Sequence, residues 1–277
     1  MKRAVDKEQF FTDRALAQRC VAFTADLLPL DSFAAIVEPS AGDGAFFDVL
    51  PPDRRVGLDI DPRADGIERA DFLSWSPAVE GPVLTIGNPP FGARGALAIA
   101  FLRHACSFSD AVAFVLPRSF NKYTFQDRVP DRFHLAGSFD CEEEFTIAGA
   151  APRSVRTVFQ VWQRRETERT RPRRAATHPD FDMRHCHLSR VSAAELESLR
   201  AAYPFAIAQV GSDFRPRPAA TVVRGSHWFI RPAHAEVERR FARLDFGFLA
   251  GMNTAHTSLS KRDIVAAYQA VVDGERT

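Results

Sequence analysis

Short apolar runs broken by glycine, proline and acidic residues dominate the first 166 positions. Ala34-Ala35-Ile36-Val37 has the pattern of a buried strand ending at Glu38, and Pro39-Ser40-Ala41-Gly42-Asp43-Gly44 follows as a loop. Ala45-Phe46-Phe47 predicts a short helix that must stop before Pro51-Pro52, since the residue ahead of a proline avoids the helical region. Val56-Gly57-Leu58 predicts a second strand, closed by Asp59-Ile60-Asp61-Pro62, and a third is expected around Arg69-Ala70-Asp71. Pro82–Ile86 predicts a fourth, running into Gly87-Asn88-Pro89-Pro90-Phe91. Leu97, Phe101 and Ala105 recur every four residues, the period of a helix. Ala111–Leu116 predicts a fifth strand, and Phe133–Phe139 and Val155–Trp162 two more. Strands alternating with helical stretches predict an α/β fold built on a parallel sheet.

The alternation stops at residues 163–174, QRRETERTRPRR, where six arginines stand against two glutamates. This run predicts a linker or basic arm. It sets a boundary between residues 1–166 and 167–277. Beyond it the pattern predicts a smaller α+β domain. Helices are expected at Ala193–Ala202, near Ala235–Leu244 and from Asp263; β-like runs occur at Phe205–Val210, Ala220–Val223 and His227–Ile230. Ser260 with Asp263 three residues on has the spacing of a helix N-cap pair, ahead of the apolar face Ile264, Val265, Tyr268 and Val272.

Composition narrows the class. With 277 residues, 45% hydrophobic and 26% charged, the chain is globular rather than disordered or fibrous. No apolar run approaches the roughly 20 residues of a membrane helix. No apolar stretch follows the basic N-terminus, so a secretory signal is not expected. Cys20, Cys106, Cys141 and Cys186 lie far apart, which fits reduced thiols and a cytoplasmic location. Net charge is +1 but uneven. Residues 1–166 carry 19 basic and 23 acidic residues, and residues 167–277 carry 17 and 12. A basic C-terminal half points to a polyanionic partner.

Two constellations carry chemistry. In the first, a strand ends at Glu38 and a glycine loop follows, so a ligand can approach the backbone and the start of the next helix. A dinucleotide fingerprint would need a third glycine, and only Gly42 and Gly44 are present. Asp59 ends the next strand seventeen residues after Gly42, where an acid can accept from ribose hydroxyls. In the second, Asn88-Pro89-Pro90-Phe91 follows an apolar strand. Two prolines stiffen that loop. It can then offer the Asn88 side-chain oxygen and the Pro89 carbonyl as fixed acceptors for a planar NH2 group, with Phe91 stacked on the ring that bears it.

The order Phe11-Thr12, Glu38-Pro-Ser-Ala-Gly-Asp-Gly, Gly57-Leu-Asp59-Ile-Asp-Pro, Ala70-Asp71-Phe72-Leu and Asn88-Pro-Pro-Phe91 resembles the class I S-adenosylmethionine-dependent methyltransferases. It is most similar to their adenine-N6 branch. The resemblance covers residues 8–166 and implies a Rossmann-like sheet with S-adenosylmethionine as cofactor. Phe11 and Thr12 would border its methionine end. Glu38, Gly42 and Gly44 would hold its amino-acid part. Asp59 would take the ribose and Ile60 would pack on adenine, with Asp71 and Phe72 at the adenine edge. Asn88, Pro89, Pro90 and Phe91 would be catalytic. The family often has proline after the Thr12 position, where this chain has Asp13. The implied activity is adenine-N6 methylation of nucleic acid, DNA ahead of RNA, with the base flipped or unpaired. Protein-glutamine N5 methylation shares the Asn-Pro-Pro loop and stands behind both.

Candidate nucleic-acid contacts are Arg169, Arg171, Arg173, Arg174, Arg215, Arg217, Trp228 and Lys261, which could pair with phosphates and stack on bases. Their bland alternative is a small β-unit with core aromatics and solvated arginines. Ser258-Leu-Ser260-Lys261 reads first as a plain N-cap. His185-Cys186-His187 with His178 invites a zinc reading, but strand neighbours point to opposite faces and there is no second Cys/His cluster, so no metal is expected. Asp140–Glu144 reads as a solvated acidic loop.

Overall fold

The computed structural model describes residues 10–141, 146–147, 156–171, 174–211, 213–246 and 258–275. The chain divides into two compact units, Met1–Arg171 and Pro172–Thr277.

In the first unit the strands are β1 (Ala35–Glu38), β2 (Arg55–Asp59), β3 (Ile67–Arg69), β4 (Val83–Gly87), β5 (Ala111–Pro117), β6 (Phe133–Cys141) and β7 (Thr157–Arg164). They form one sheet in the order β3-β2-β1-β4-β5-β7-β6. Pairing is parallel from β3 to β5. β7 runs antiparallel between β5 and β6. The first five positions follow the doubly wound order, and the order reverses between β1 and β4.

A sheet covered on both faces needs strands that are apolar throughout. β4 and β5 meet that demand: every residue of each is buried. Alternate side chains diverge. Val112, Phe114 and Leu116 join one core with Phe101, Leu102 and Ala105 of helix α2 (Ala96–Phe108). Ala111, Ala113 and Val115 join the other with Leu16, Ala17 and Cys20 of helix α1 (Arg14–Leu27). Each buried Val, Leu or Phe contributes roughly 1.5–3 kcal/mol.

α1 escapes the hydrophobic pattern because its buried stripe is Leu16, Ala17, Cys20 and Thr24, mostly small side chains. Asp13 caps it, accepting from the Ala15 N–H at 2.6 Å. That accounts for an acid where a proline might stand. The helix expected after Ala45 is instead one 3-10 turn, Phe47–Val49. The space before Pro51 is too short to repay helix nucleation.

Residues 163–171 are not a free arm. Arg164 ends β7, and its guanidinium donates to the Cys106 and Ser109 carbonyls at the end of α2. The backbone N–H groups of Arg165 and Arg169 donate to the Arg132 and Asp131 carbonyls. The boundary therefore falls after Arg171, later than the charge pattern suggests.

The second unit is α+β. Strands β8 (Phe181–His187), β9 (Phe205–Ala208), β10 (Ser226–Pro232) and the pair Arg217–Pro218 form an antiparallel sheet in the order β8-β10-β9-(217–218). Helix α3 (Ala193–Ala202) packs through Leu199 on one face of this sheet. Helices α4 (Glu236–Phe241) and α5 (Lys261–Gly274) pack through Val237, Phe241, Ile264 and Tyr268 on the other. Ser260 and Asp263 form a reciprocal capping box on α5. Ala220–Val223 is no strand: a 3-10 turn occupies Ala219–Thr221, and Val223 is exposed. Pro218 lacks the N–H that a ladder needs. The start of the run expected from Val155, the acids Glu142–Glu144 and Arg173 lie outside the described residues.

Candidate functional site

Glu38 ends β1, Asp59 ends β2, and Gly87 ends β4 just ahead of Asn88. These carboxyl ends meet where the strand order reverses, the place where open α/β sheets bind ligands. A cavity of about 310 Å³ opens there, within the first unit. Its lining includes Thr12, Glu38, Gly42, Asp59, Ile60, Asp71, Phe72, Asn88, Pro89 and Pro90.

Asn88 is the best-defined polar group. Its Nδ2 donates to the Thr12 hydroxyl at 3.0 Å. Its Oδ1 is buried and, among the described residues, has no hydrogen-bond partner. Its carbonyl accepts from the Ser40 hydroxyl at 3.0 Å. An orphaned buried acceptor costs on the order of 1–3 kcal/mol, which a donor entering the cavity would recover. Gly87 makes the approach possible. Its φ is +152°, and a Cβ there would lie 3.2 Å from Glu38 Cγ.

Glu38 is 2% exposed, and its Oε2 likewise has no partner among the described residues. Burial pushes its carboxyl up to about 8. A hydrogen bond from the Phe47 backbone opposes that shift; Asp59, Asp43 and Asp48 add to it. Among the described lining residues, the carboxylates Asp43, Asp59 and Asp71 stand against Arg63, while Glu38 holds its proton at neutral pH. Such a surround favours a cation and repels phosphate.

Asp59 spends one oxygen on the Gly42 N–H at 2.8 Å and the other on the Asp61 N–H at 2.8 Å. It thus ties the glycine loop to the end of β2, and each oxygen keeps a further lone pair. Gly42 takes φ +52° in that turn. Asp71 caps a 3-10 turn through the Leu73 N–H. Ile60, 61% exposed, adds an apolar side chain to the cavity lining.

Three expected roles need correction. Phe91 is 5% exposed and sits in the core with Ala98 and Phe101, away from the cavity lining. Its ring is therefore a packing group and offers the cavity no stacking face. Gly44 is outside the lining, and its N–H already donates to Ala41. The Gly42 N–H is spent on Asp59, and the loop leads into the 3-10 turn Phe47–Val49 rather than an α-helix. Phe11 pairs through its backbone with Thr146, and its side chain lies outside the description.

The expected nucleic-acid residues scatter. Arg169 donates to the Gln126 and Val129 carbonyls and lies over Trp162. Burial lowers its pKa. Arg171 pairs with Asp131 and Arg217 with Asp213. Arg174 is half-buried, and Arg215 is exposed. Trp228 is buried; its indole N–H donates to the Leu259 carbonyl, and the Lys261 ammonium lies 5.9 Å above its ring. Trp228 is thus a core residue and cannot stack on a base. His178 pairs with Gln269 and Cys186 is buried in the sheet core. Among the described residues no group of three or more His, Cys, Asp or Glu side chains could hold a metal ion.

The sheet and the cavity at its reversal point define a Rossmann-like, doubly wound α/β fold. No family model and no curated protein sequence matches the chain. Solved structures do resemble it. A provisionally assigned RNA methyltransferase from Pyrococcus horikoshii is 17% identical over 57% of this chain and 87% of its own, with a TM-score of 0.44. A provisionally assigned class I S-adenosylmethionine-dependent methyltransferase from Listeria monocytogenes is 14% identical over 62% and 66%, TM-score 0.44. The 23S rRNA methyltransferase ErmE is 21% identical over 58% and 71%, TM-score 0.40. Likeness at this level adds nothing to what the sheet itself shows.

Proposed function

We propose that the protein is an S-adenosylmethionine-dependent N-methyltransferase that acts on the exocyclic N6 amine of adenine in nucleic acid, with DNA as the substrate. The observation that carries this reading is the buried, partnerless Oδ1 of Asn88 at the cavity wall, with its amide nitrogen already engaged. Such a group suits a substrate N–H. Pro89 and Pro90 line the same wall.

The rest of the cavity fits the cofactor. The carboxylates Asp43, Asp59 and Asp71 suit a ligand carrying ammonium and sulfonium charges and disfavour a pyrophosphate, and an ammonium beside buried Glu38 would draw off its proton. Ile60 and Phe72 offer apolar surface for an adenine ring, between Asp59 and Asp71. When bound, the cofactor supplies a methyl group on a good leaving sulfur. The chain's task is then to position the amine and hold its N–H groups on Asn88 Oδ1 and the Pro89 carbonyl. Asn88 Oδ1 and the Pro89 carbonyl would hold the amine with its lone pair toward that methyl group, and the proton lost on transfer would pass to water.

The polyanion contacts we assign differ from those the arginine run suggests. Arg190, Arg224 and Arg262 are exposed and, among the described residues, have no ion pair. The Leu188 N–H donates to the Gly225 carbonyl, so the turns holding Arg190 and Arg224 adjoin. Gln209 accepts from the Leu259 N–H and donates to Ser226, which brings the start of α5, with Lys261 and Arg262, to the same end of the sheet. Incubation with labelled cofactor and duplex DNA, single-stranded DNA, RNA or protein, followed by identification of the modified residue, tests the reading. Labelled N6-methyladenine in DNA supports it. Label confined to RNA or to glutamine would replace the substrate class.

A further inference from the structure

The turn that follows Asn88-Pro89-Pro90-Phe91 is strained. Gly92, Arg94 and Gly95 all take left-handed backbone, with φ +66°, +55° and +73°. Among the described residues, Arg94 is the one other than glycine with a positive φ. Glycine or asparagine usually fills such a position, and a longer side chain persists there only where its surroundings impose it. Phe91 is packed in the core, and its carbonyl accepts from the Leu97 and Ala98 N–H groups at 3.1 and 3.2 Å. The Gly95 N–H donates to the Gly92 carbonyl at 3.2 Å, and a Cβ on Gly92 would stand 2.8 Å from Leu97 Cβ. The backbone on both sides of Arg94 is thus fixed, and a glycine at position 94 would fit it without strain. The fold keeps an arginine instead. Arg94 is exposed and, among the described residues, has no hydrogen bond, ion pair or ring contact. Pro90 and Leu97, on either side of the turn, both line the cavity, so Arg94 stands at its rim.

We propose that Arg94 is a substrate-binding residue that takes a backbone phosphate beside the target base at the mouth of the cavity. This rests on the nucleic-acid reading and deepens it. The lining carries the carboxylates Asp43, Asp59 and Asp71 against Arg63, a surround that repels phosphate. A base can therefore enter only while its phosphates stay outside, and there they need a cation that no acid of the fold has already paired. A guanidinium presents a planar fork of N–H donors that matches two phosphate oxygens. The left-handed backbone at Arg94 holds that fork on a turn anchored through Phe91, which gives the buried ring a part in binding without touching the base. Contacts of this kind set the register of a strand and carry no sequence information.

The test uses the full chain and its Arg94→Gly and Arg94→Lys variants. Binding is read by fluorescence anisotropy, with S-adenosylhomocysteine present, on a labelled DNA duplex holding one adenine opposite an abasic site. Phosphates around that adenine are replaced one at a time by uncharged methylphosphonate. Arg94→Gly should weaken binding of the unmodified duplex by about tenfold, the scale of one charge-assisted hydrogen bond. It should also make the dependence of log affinity on log salt shallower by about 0.9. At one methylphosphonate position the wild type should lose about tenfold and Arg94→Gly less than about twofold, because the variant has no phosphate contact left to lose. Arg94→Lys, which keeps the charge but not the fork, should recover the salt slope and only part of the affinity. Thermal unfolding separates binding from packing: Arg94→Gly, relieved of strain, should melt about 2–4 °C higher. An Arg94→Gly protein with wild-type affinity, or with the same loss as wild type at every methylphosphonate, overturns the proposal. So does a lower Tm, which would make Arg94 a structural residue. If the coupling to one phosphate holds but S-adenosylmethionine yields no N6-methyladenine, the adenine reading fails and Arg94 stands as a phosphate contact, which keeps the two failures apart.

Discussion

At the residue scale, Asn88, Phe91 and Glu38 separate chemistry from packing. Asn88→Ala removes the acceptor and nothing that touches the acids of the cavity. Turnover should fall by on the order of 100-fold, the scale of losing one preorganised polar group, while calorimetry shows cofactor affinity within about twofold. Phe91→Ala, by contrast, should cost about 3–5 kcal/mol in a denaturant titration, as a buried aromatic does. Phe91→Leu should recover much of that loss, which a stacking role would not allow. Glu38 adds a pH signature. Its folded pKa, about 8, lies above the ordinary value, so the folded state holds a proton that the unfolded chain has lost. The stabilisation is complete below about pH 4.5 and fades as pH rises through about 8, at up to about 1.4 kcal/mol per pH unit. Urea unfolding of the protein without cofactor should show that decline, and Glu38→Gln should flatten it. The sequence marks Glu38 and Asp59 because each ends a strand pattern, and Asn88 because it opens the proline-stiffened loop after one. It misplaces Phe91 because a linear motif does not say whether an aromatic faces the cavity or the core.

At the element scale, β1, β4 and β5 are legible because burial on both faces of a parallel strand leaves an unbroken apolar run; β2 shows only as Val56–Leu58 ahead of its acidic end, and α2 shows as the four-residue recurrence of Leu97, Phe101 and Ala105. α1 is not, since small residues suffice where it meets the sheet through Ala17 and Cys20. The arginine run was legible only as charge. Arg164 in that run fastens β7 to the end of α2 through three hydrogen bonds to carbonyls. Charge-assisted bonds of this kind contribute about 1.5–3 kcal/mol. Arg164→Ala should therefore destabilise the protein by about 2 kcal/mol in chemical denaturation, whereas a solvated linker residue would cost nothing measurable.

For the whole molecule, the proposed polyanion contacts are the Arg190, Arg224, Lys261 and Arg262 end of the second sheet rather than a basic arm. Replacing Arg190, Arg224, Lys261 and Arg262 by glutamine should weaken binding to a DNA duplex. It should also flatten the dependence of log affinity on log salt by up to about 0.9 per lost phosphate contact. Replacing Arg169 and Arg171 should leave that slope unchanged, because both are spent inside the first unit. Fluorescence anisotropy across a salt series reads both outcomes. Equal slopes for the fourfold variant and the wild type would remove this end of the second sheet from the interface.

The central claim is that the Asn88 wall of the cavity receives an adenine amine and the acid-lined remainder receives S-adenosylmethionine. Mass spectrometry of nucleosides from DNA incubated with the protein and methyl-labelled cofactor tests it most directly. The account predicts labelled N6-methyladenosine as its deoxynucleoside, formed by the wild type and lost in Asn88→Ala. Label on another atom or in another class of molecule, or equal label from the Asn88→Ala protein, would contradict it.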